Sequence, residues 1–246
     1  MEIARAAAGL FVSRGLKATR AEDIALAAGI APRTFYRYFA TKEEAVAPLY
    51  AAGAQRWAEA VREAPAELTV PEALEHAVRY TLVPGRGVSA ASWEWVRTLI
   101  RLAGTSPALG KVWAEVCHTS EATLAQVLTE RTAASSRTPA SESTSGSTAE
   151  STAENPSGST AEAISDVGPG AAADATSAPT PAPDNVASPY QRFTAAVAGA
   201  AVRVAVESWA VTDSPPTGRQ GPAELALRNL RALRGFAWEE IPTEEP

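Results

Sequence analysis

The chain has one cysteine, Cys117, and one methionine, Met1, in 246 residues. A single thiol excludes a disulfide framework within the chain and suits a reducing compartment, so a cytoplasmic location is expected. Only two histidines are present, His76 and His118. Cys117 and His118 are neighbours, and on a helix neighbours point about 100° apart, a poor chelating geometry. His76 could reach them only through tertiary folding. There is no Gly-rich phosphate loop and no catalytic constellation. The expectation is therefore no enzyme, no metal site and no cofactor. No apolar run approaches the roughly eighteen residues of a membrane span. The start, MEIARAAAGLF, lacks a basic stretch followed by a continuous apolar one, so neither a membrane segment nor a signal peptide is expected.

Positive charge is also scarce. The formal net charge is −6, from 22 basic and 28 acidic residues. It is unevenly spread: residues 1–45 carry seven basic and five acidic side chains, a small positive excess on an acidic remainder. Binding of a polyanion depends on the local face rather than on the global sum. The balance is compatible with salt-sensitive nucleic-acid binding and does not establish it.

Aromatic residues are absent from 132–189, where Ile164, Val167 and Val186 are the only larger aliphatics. Ser, Thr, Ala, Pro and Glu dominate, and GSTAE occurs at 146–150 and again at 158–162. Such a segment cannot bury enough apolar surface to offset its ordering entropy, so a disordered insertion is expected there.

What the chain does have is concentrated in TRAEDIALAAGIAPRTFYRYFATK, residues 19–42. Thr19 followed by Glu22 reads as a capping box that opens a helix with Ile24, Ala25 and Ala28 on one face. Gly29 ends it, tolerating the left-handed conformation that a helix end needs. Pro32 fits the first turn of a second helix running to Tyr38. Phe35 and Phe39 are expected inward, which turns Arg33, Thr34, Tyr36 and Arg37 outward. Thr41 and Glu44 read as a second capping box. Before this stretch, Ile3, Ala6, Ala7, Leu10 and Phe11 stand at helical spacing and Gly15 closes a first helix. Two helices joined by a Gly turn, the second bearing Arg, Thr and Tyr, form the arrangement that enters a DNA major groove. The alternative is an ordinary helical hairpin with a solvated polar face.

The spelling GIAPRTFYRYFATKEE closely resembles the signature of the tetracycline-repressor (TetR-type) family of bacterial one-component regulators. That resemblance covers residues 3 to about 50 and extends to the rest only in general layout. It implies a homodimeric DNA-binding transcriptional regulator, most simply a repressor on a pseudo-palindromic operator. It also implies DNA contacts from Arg20, Pro32, Arg33, Thr34, Tyr36, Arg37, Tyr38 and Lys42, with Tyr38 and Lys42 on phosphates. An Arg can read guanine bidentately and a Thr methyl can touch thymine.

Downstream, helices are expected over Thr41 to about Glu63, with a bend near Pro48, and over 70–83, 90–103 and 108–131. YQRFTAAVAGAAVRVAVESWAV and PAELALRNLRALRGFAW supply two C-terminal helices. The expected fold is all-α: a helix-turn-helix head at 1–45, a body at 46–131, the insertion at 132–189, and completing helices at 190–240. In the resembled family the last pair forms a four-helix bundle with its twofold mate. Phe193, Val197, Val204, Leu230 and Leu233 are the expected interface here.

Six tryptophans are generous for the length, and large aromatic side chains with few polar partners line apolar small-molecule cavities. Trp93, Trp95 and Trp113 are the expected pocket residues, with Arg97 and Arg101 as an anchor for an anionic group. The body loosely resembles the branch of the family described as binding acyl-CoA-like ligands, which implies a small apolar effector, with an acyl-type molecule as one candidate. The alternative function is a small-molecule binding protein with a weakened DNA-binding head.

Overall fold

The computed structural model describes residues 1–85, 90–137 and 186–239. Among these residues every regular element is helical: α1 Glu2–Arg14, α2 Ala21–Ala27, α3 Pro32–Tyr38, α4 Ala47–Arg62, α5 Val70–Thr81, α6 Ala90–Thr105, α7 Pro107–Arg137, α8 Pro189–Ala210 and α9 Pro222–Ala232. The fold is all-α with a helix-turn-helix head. No described helix is long and apolar enough to cross a membrane. Most of the segment expected to be disordered, residues 138–185, lies outside the described residues. Its expected start is corrected, because α7 continues past Arg131 to Arg137.

The head closes around Ala7, Ala8, Phe11, Ile24, Ala25 and Phe35, all essentially inaccessible. One boundary differs in cause from the sequence expectation. Thr19 does not cap α2: it is 1% exposed, and its hydroxyl donates to the Leu10 and Gly15 carbonyls at the end of α1. The cap is one residue later, where the Asp23 carboxylate accepts the Arg20 backbone N–H at 3.0 Å. A threonine buried in the turn satisfies its hydroxyl on nearby carbonyls, and that leaves the next residue to open the helix. Gly29 ends the turn at φ +69°, as expected.

The bend expected at Pro48 is absent. A 3₁₀ turn at Glu44–Val46 intervenes, so α4 begins at Ala47 and Pro48 stands in its first turn. There its missing N–H has no helical partner to lose. The second capping arrangement is also shifted: Glu44 donates its N–H to the Thr41 hydroxyl, while its carboxylate accepts from Ala40 N at 2.9 Å rather than from Thr41.

Two buried clusters hold the molecule. One joins the end of α4 with α5, the middle of α7, α8 and α9. The other runs from the head into the body, linking Phe11, Ile24 and Phe35 with Tyr50, Trp93, Leu109 and Trp209. Head and body therefore share one core. Close helix approach in the body uses small residues. Ala195, Ala198 and Ala205 of α8 are buried, and a Cβ added at Gly199 would meet the Glu121 side chain at 3.4 Å. At the end of α4, Arg131 donates to the Val61, Ala64, Pro65 and Leu68 carbonyls, supplying partners that a helix C-terminus lacks.

The α9 stripe is consumed within the chain. Leu230 is 3% exposed in the first cluster and Leu233 packs against it, so Leu230 is corrected as an interface residue. Phe193 and Val204 of α8 remain outside, 54% and 46% exposed.

Candidate nucleic-acid interface and body cavity

Helix α3 is anchored by one side chain. Phe35 is fully buried and its ring meets Phe39 at 5.4 Å between centroids. Everything the 3.6-residue period turns the other way faces solvent: Pro32, Arg33, Tyr36, Arg37 and Tyr38 are exposed, and Thr34 is half-buried. The outward face is organised by short-range contacts. The Tyr36 hydroxyl donates to Glu22 at 3.3 Å, and Arg20 Nε lies 3.7 Å from the same carboxylate. Partial desolvation and the Glu22 charge raise the Tyr36 phenol above its ordinary value. The Arg37 guanidinium sits 5.0 Å from the centroid of the Tyr38 ring and donates to its hydroxyl at 3.2 Å. A flexible cation and a flexible phenol are thus presented together.

In the body, a cavity of about 190 Å³ lies where the two buried clusters meet. Its wall is built from Leu49, Tyr50 and Trp57 of α4, Trp93, Val96 and Ile100 of α6, Trp113 and Val116 of α7, and Val202 and Val206 of α8. Arg56, Cys117, Ser120, Glu121 and Arg203 supply its polar groups. Tyr50 donates its hydroxyl to the Leu99 carbonyl at 3.0 Å, and burial pushes its phenol strongly up. Trp113 donates its indole N–H to Glu207 at 2.6 Å. Among the described residues no group of His, Cys, Asp and Glu could hold a metal ion.

Residues 3–47 match the family of bacterial regulatory proteins, tetR family. The head belongs to the tetR family. The fold is similar to that of Thermus thermophilus FadR, a TetR family transcriptional repressor solved in complex with lauroyl-CoA. That likeness has a TM-score of 0.52 at 20% identity and covers 100% of this chain and 98% of that one. A Mesorhizobium loti protein described as a TetR-family transcriptional regulator is similar with a TM-score of 0.48 at 16% identity, over 95% of this chain and 94% of that one. No curated protein sequence matches the chain.

Four expected site residues are placed elsewhere than expected. Lys42 points into the head rather than to a phosphate: its ammonium donates to the Leu16 carbonyl at 2.7 Å and the Thr19 carbonyl at 2.8 Å. It ties the turn between α1 and α2 to the segment after α3. Neither Arg97 nor Arg101 lines the body cavity. Arg97 is 7% exposed, donates to the Ser214 carbonyl and places its guanidinium carbon 4.3 Å over the Trp209 ring. Arg101 donates to the Ala210 and Thr212 carbonyls and to Asp213. Both cations cover the C-terminal end of α8, where carbonyls lack helical partners and the dipole is negative. Trp95 is also outside the cavity. It is 41% exposed, and its ring lies 3.5 Å from where a Cβ on Gly9 would stand, so it bridges body to α1. Trp93 and Trp113 do line the cavity. Tyr50, Trp57, Arg56 and Arg203 line it too and were missed, because nothing local in α4 or α8 marks which face meets a void.

Replacing Lys42 by Met leaves two buried-end carbonyls without their charged donor, which should cost about 2–3 kcal/mol of stability. Urea unfolding followed by circular dichroism reads it, and an unchanged midpoint would show that the tie contributes nothing. At Cys117, burial pushes the thiol up to about 11, with Arg203 opposing it in part. Iodoacetamide should therefore label Cys117 slowly at pH 8 and about tenfold faster per pH unit up to pH 10, since only the thiolate reacts. A labelling rate that levels off by pH 9 would contradict that environment.

Proposed function

We propose that the protein is a ligand-responsive, homodimeric DNA-binding transcriptional regulator, most simply a repressor acting on a pseudo-palindromic operator. The observation that carries this reading is α3. Its one buried side chain, Phe35, fixes a face on which Arg33, Tyr36, Arg37 and Tyr38 are exposed together. Arg33 and Thr34 read bases, while Arg20, Arg37 and Tyr38 hold phosphates and set register. Lys42 acts from behind by keeping α1 and α3 in register. Pro32 starts the recognition helix, and Tyr36, bridged to α2 through Glu22, stiffens its outward face.

Self-association uses the exposed stripe of α8. Phe193, Val204 and the half-buried Val197 recur along that helix, and the half-buried Leu233 is kept as a candidate beside them. Exposed apolar side chains aligned on one helix mark association surfaces. Replacing Phe193 and Val204 by Asp together should convert a dimer to a monomer in analytical ultracentrifugation. A dimer that survives the double change would refute this surface.

The effector is a small apolar molecule held in the body cavity, with an acyl-type ligand one candidate class, as in the solved Thermus thermophilus neighbour bound to lauroyl-CoA. The route from cavity to head is the shared core. Trp93 and Ile100 line the cavity and belong to the cluster that contains Phe11 and Phe35. A ligand that fits one head spacing better than another shifts the population, and DNA affinity follows.

The test is a gel shift of the purified protein on DNA flanking its own gene, followed by selection from random sequences, with salt varied. A discrete salt-sensitive complex, abolished in Arg37→Ala/Tyr38→Ala, is the expected result. A folded dimer that selects no sequence would overturn the regulator reading.

A further inference from the structure

A carboxylate stands against the face that α3 turns outward. The Glu22 side chain is 48% exposed and is held there by two contacts: the Tyr36 hydroxyl lies 3.3 Å from Oε1, and Arg20 Nε lies 3.7 Å from Oε2. Its neighbour Asp23 has a structural task, the cap on the Arg20 backbone N–H, and Glu22 has none of that kind. A carboxylate that faces a polyanion is repelled by every phosphate it approaches, so it weakens binding to all sequences unless a base offsets the repulsion. The placement of one hydrogen decides which base does so. An ionised carboxylate only accepts, so the Tyr36 hydroxyl donates its single hydrogen to Glu22. Partial desolvation and the Glu22 charge raise the phenol above its ordinary value, and it keeps that hydrogen at neutral pH. The pair therefore presents only lone pairs to anything outside it, on the phenolic oxygen and on the carboxylate.

From this geometry we infer that Glu22, held by Tyr36, selects cytosine at one position of each operator half-site by accepting the N4–H that faces the major groove. The inference rests on the DNA-binding reading of α3 and goes beyond it, naming a base and a residue of α2 that reads it. Guanine offers O6 and N7 in the major groove and thymine offers O4, all acceptors, and an acceptor-only pair is repelled by each of them. Adenine has an amino hydrogen on N6, but N7 stands beside it and repels the second member of the pair. Cytosine N4 has no acceptor beside it on that edge. Arg33, which can only donate, has the opposite preference, for guanine, so the two elements read different positions.

Selection from random duplexes with the whole protein identifies the half-site, and titrations on the selected operator and its single-base variants give the ratios. The wild type should bind the cytosine duplex at least about tenfold more tightly than the duplex with thymine at that position. Glu22→Gln, whose amide donates as well as accepts, should bring this ratio to within about twofold of unity. It should leave the other selected positions unchanged and strengthen binding to random DNA, because a repulsion common to all sequences is gone. An operator without a cytosine-dependent position, or a set of preferences that Glu22→Gln leaves intact, overturns the inference while the regulator reading stands. A Glu22→Gln protein that loses affinity for operator and random DNA alike overturns it too, since Glu22 then only holds Arg20 and Tyr36 in place. If Glu22→Gln fails to fold, Tyr36→Phe should lose part of the ratio, and a full ratio there overturns the assignment. A folded wild type that selects no sequence overturns both readings, an outcome distinct from the others.

Discussion

Replacing Trp209 by Ala is expected to produce the largest loss of stability of any single change in the body, about 3–5 kcal/mol. Trp209 is fully buried at the C-terminal end of α8. Its ring meets Trp93 edge-on at 5.4 Å and 87°, carries the Arg97 guanidinium on its face at 4.3 Å, and donates its N–H to two carbonyls of the following turn. Truncation opens a cavity larger than the neighbours can close. It also strips the cation–π partner from an arginine whose Nε already lacks an acceptor. The melting temperature should fall by on the order of 10 °C. Trp209→Phe keeps a ring under Arg97 and should lose about half as much, whereas Val211→Ala, at a position 74% exposed, should change stability by less than about 0.5 kcal/mol. A Trp209→Ala midpoint within the range of the Val211→Ala control would show that the α8 terminus is not held by this ring.

On the DNA side, Arg37→Ala/Tyr38→Ala should weaken binding to operator and random DNA alike, by on the order of a hundredfold or more, since in the proposed homodimer both protomers carry the change. The plot of log affinity against log salt should become shallower by about 0.9 for each phosphate that is no longer neutralised. Arg33→Ala should behave differently. A base reader costs about 1–3 kcal/mol at particular positions and leaves random-sequence binding nearly intact. Titrations on operator and random duplexes at several salt concentrations separate the two patterns. If Arg33→Ala reduced both affinities equally, the direction of α3 in the groove would have to be redrawn. Lys42 is a poor probe for this purpose, since its ammonium is engaged by the Leu16 and Thr19 carbonyls and its removal disturbs the head itself.

The contrast between Arg37 and Lys42 illustrates how legible the site was. Both read from the sequence as cations on a DNA-facing head. The helical period alone turns Arg37 outward once Phe35 is inward, and it is exposed. Lys42 follows the end of α3, where no period applies, and its direction depends on carbonyls 23 and 26 residues earlier. Pro48 failed as a kink for a similar reason: a proline is harmless or disruptive according to where the helix starts, and the 3₁₀ turn at Glu44–Val46 moved that start.

In the body, Trp93 and Trp113 were legible as cavity residues only by being large and apolar, a criterion that Trp95 meets equally and the structure does not honour. Arg97 and Arg101, one turn apart, looked like an anion anchor, but they serve carbonyls that lie more than a hundred residues further along the chain. Leu230 read as interface and is core, because α9 turns its apolar stripe onto α5 and α8.

By itself, then, the sequence determined the all-α class, the head, and the bounds and outward face of α3. Each of these follows from local signals: apolar spacing, a Pro in a first turn, and a Gly at positive φ. Only the tertiary structure decided which arginines serve carbonyls, which lysine braces the head, and which tryptophans share a cavity. Those roles depend on partners far away in the chain, and a side chain's long-range partner is set by packing rather than by its neighbours in sequence.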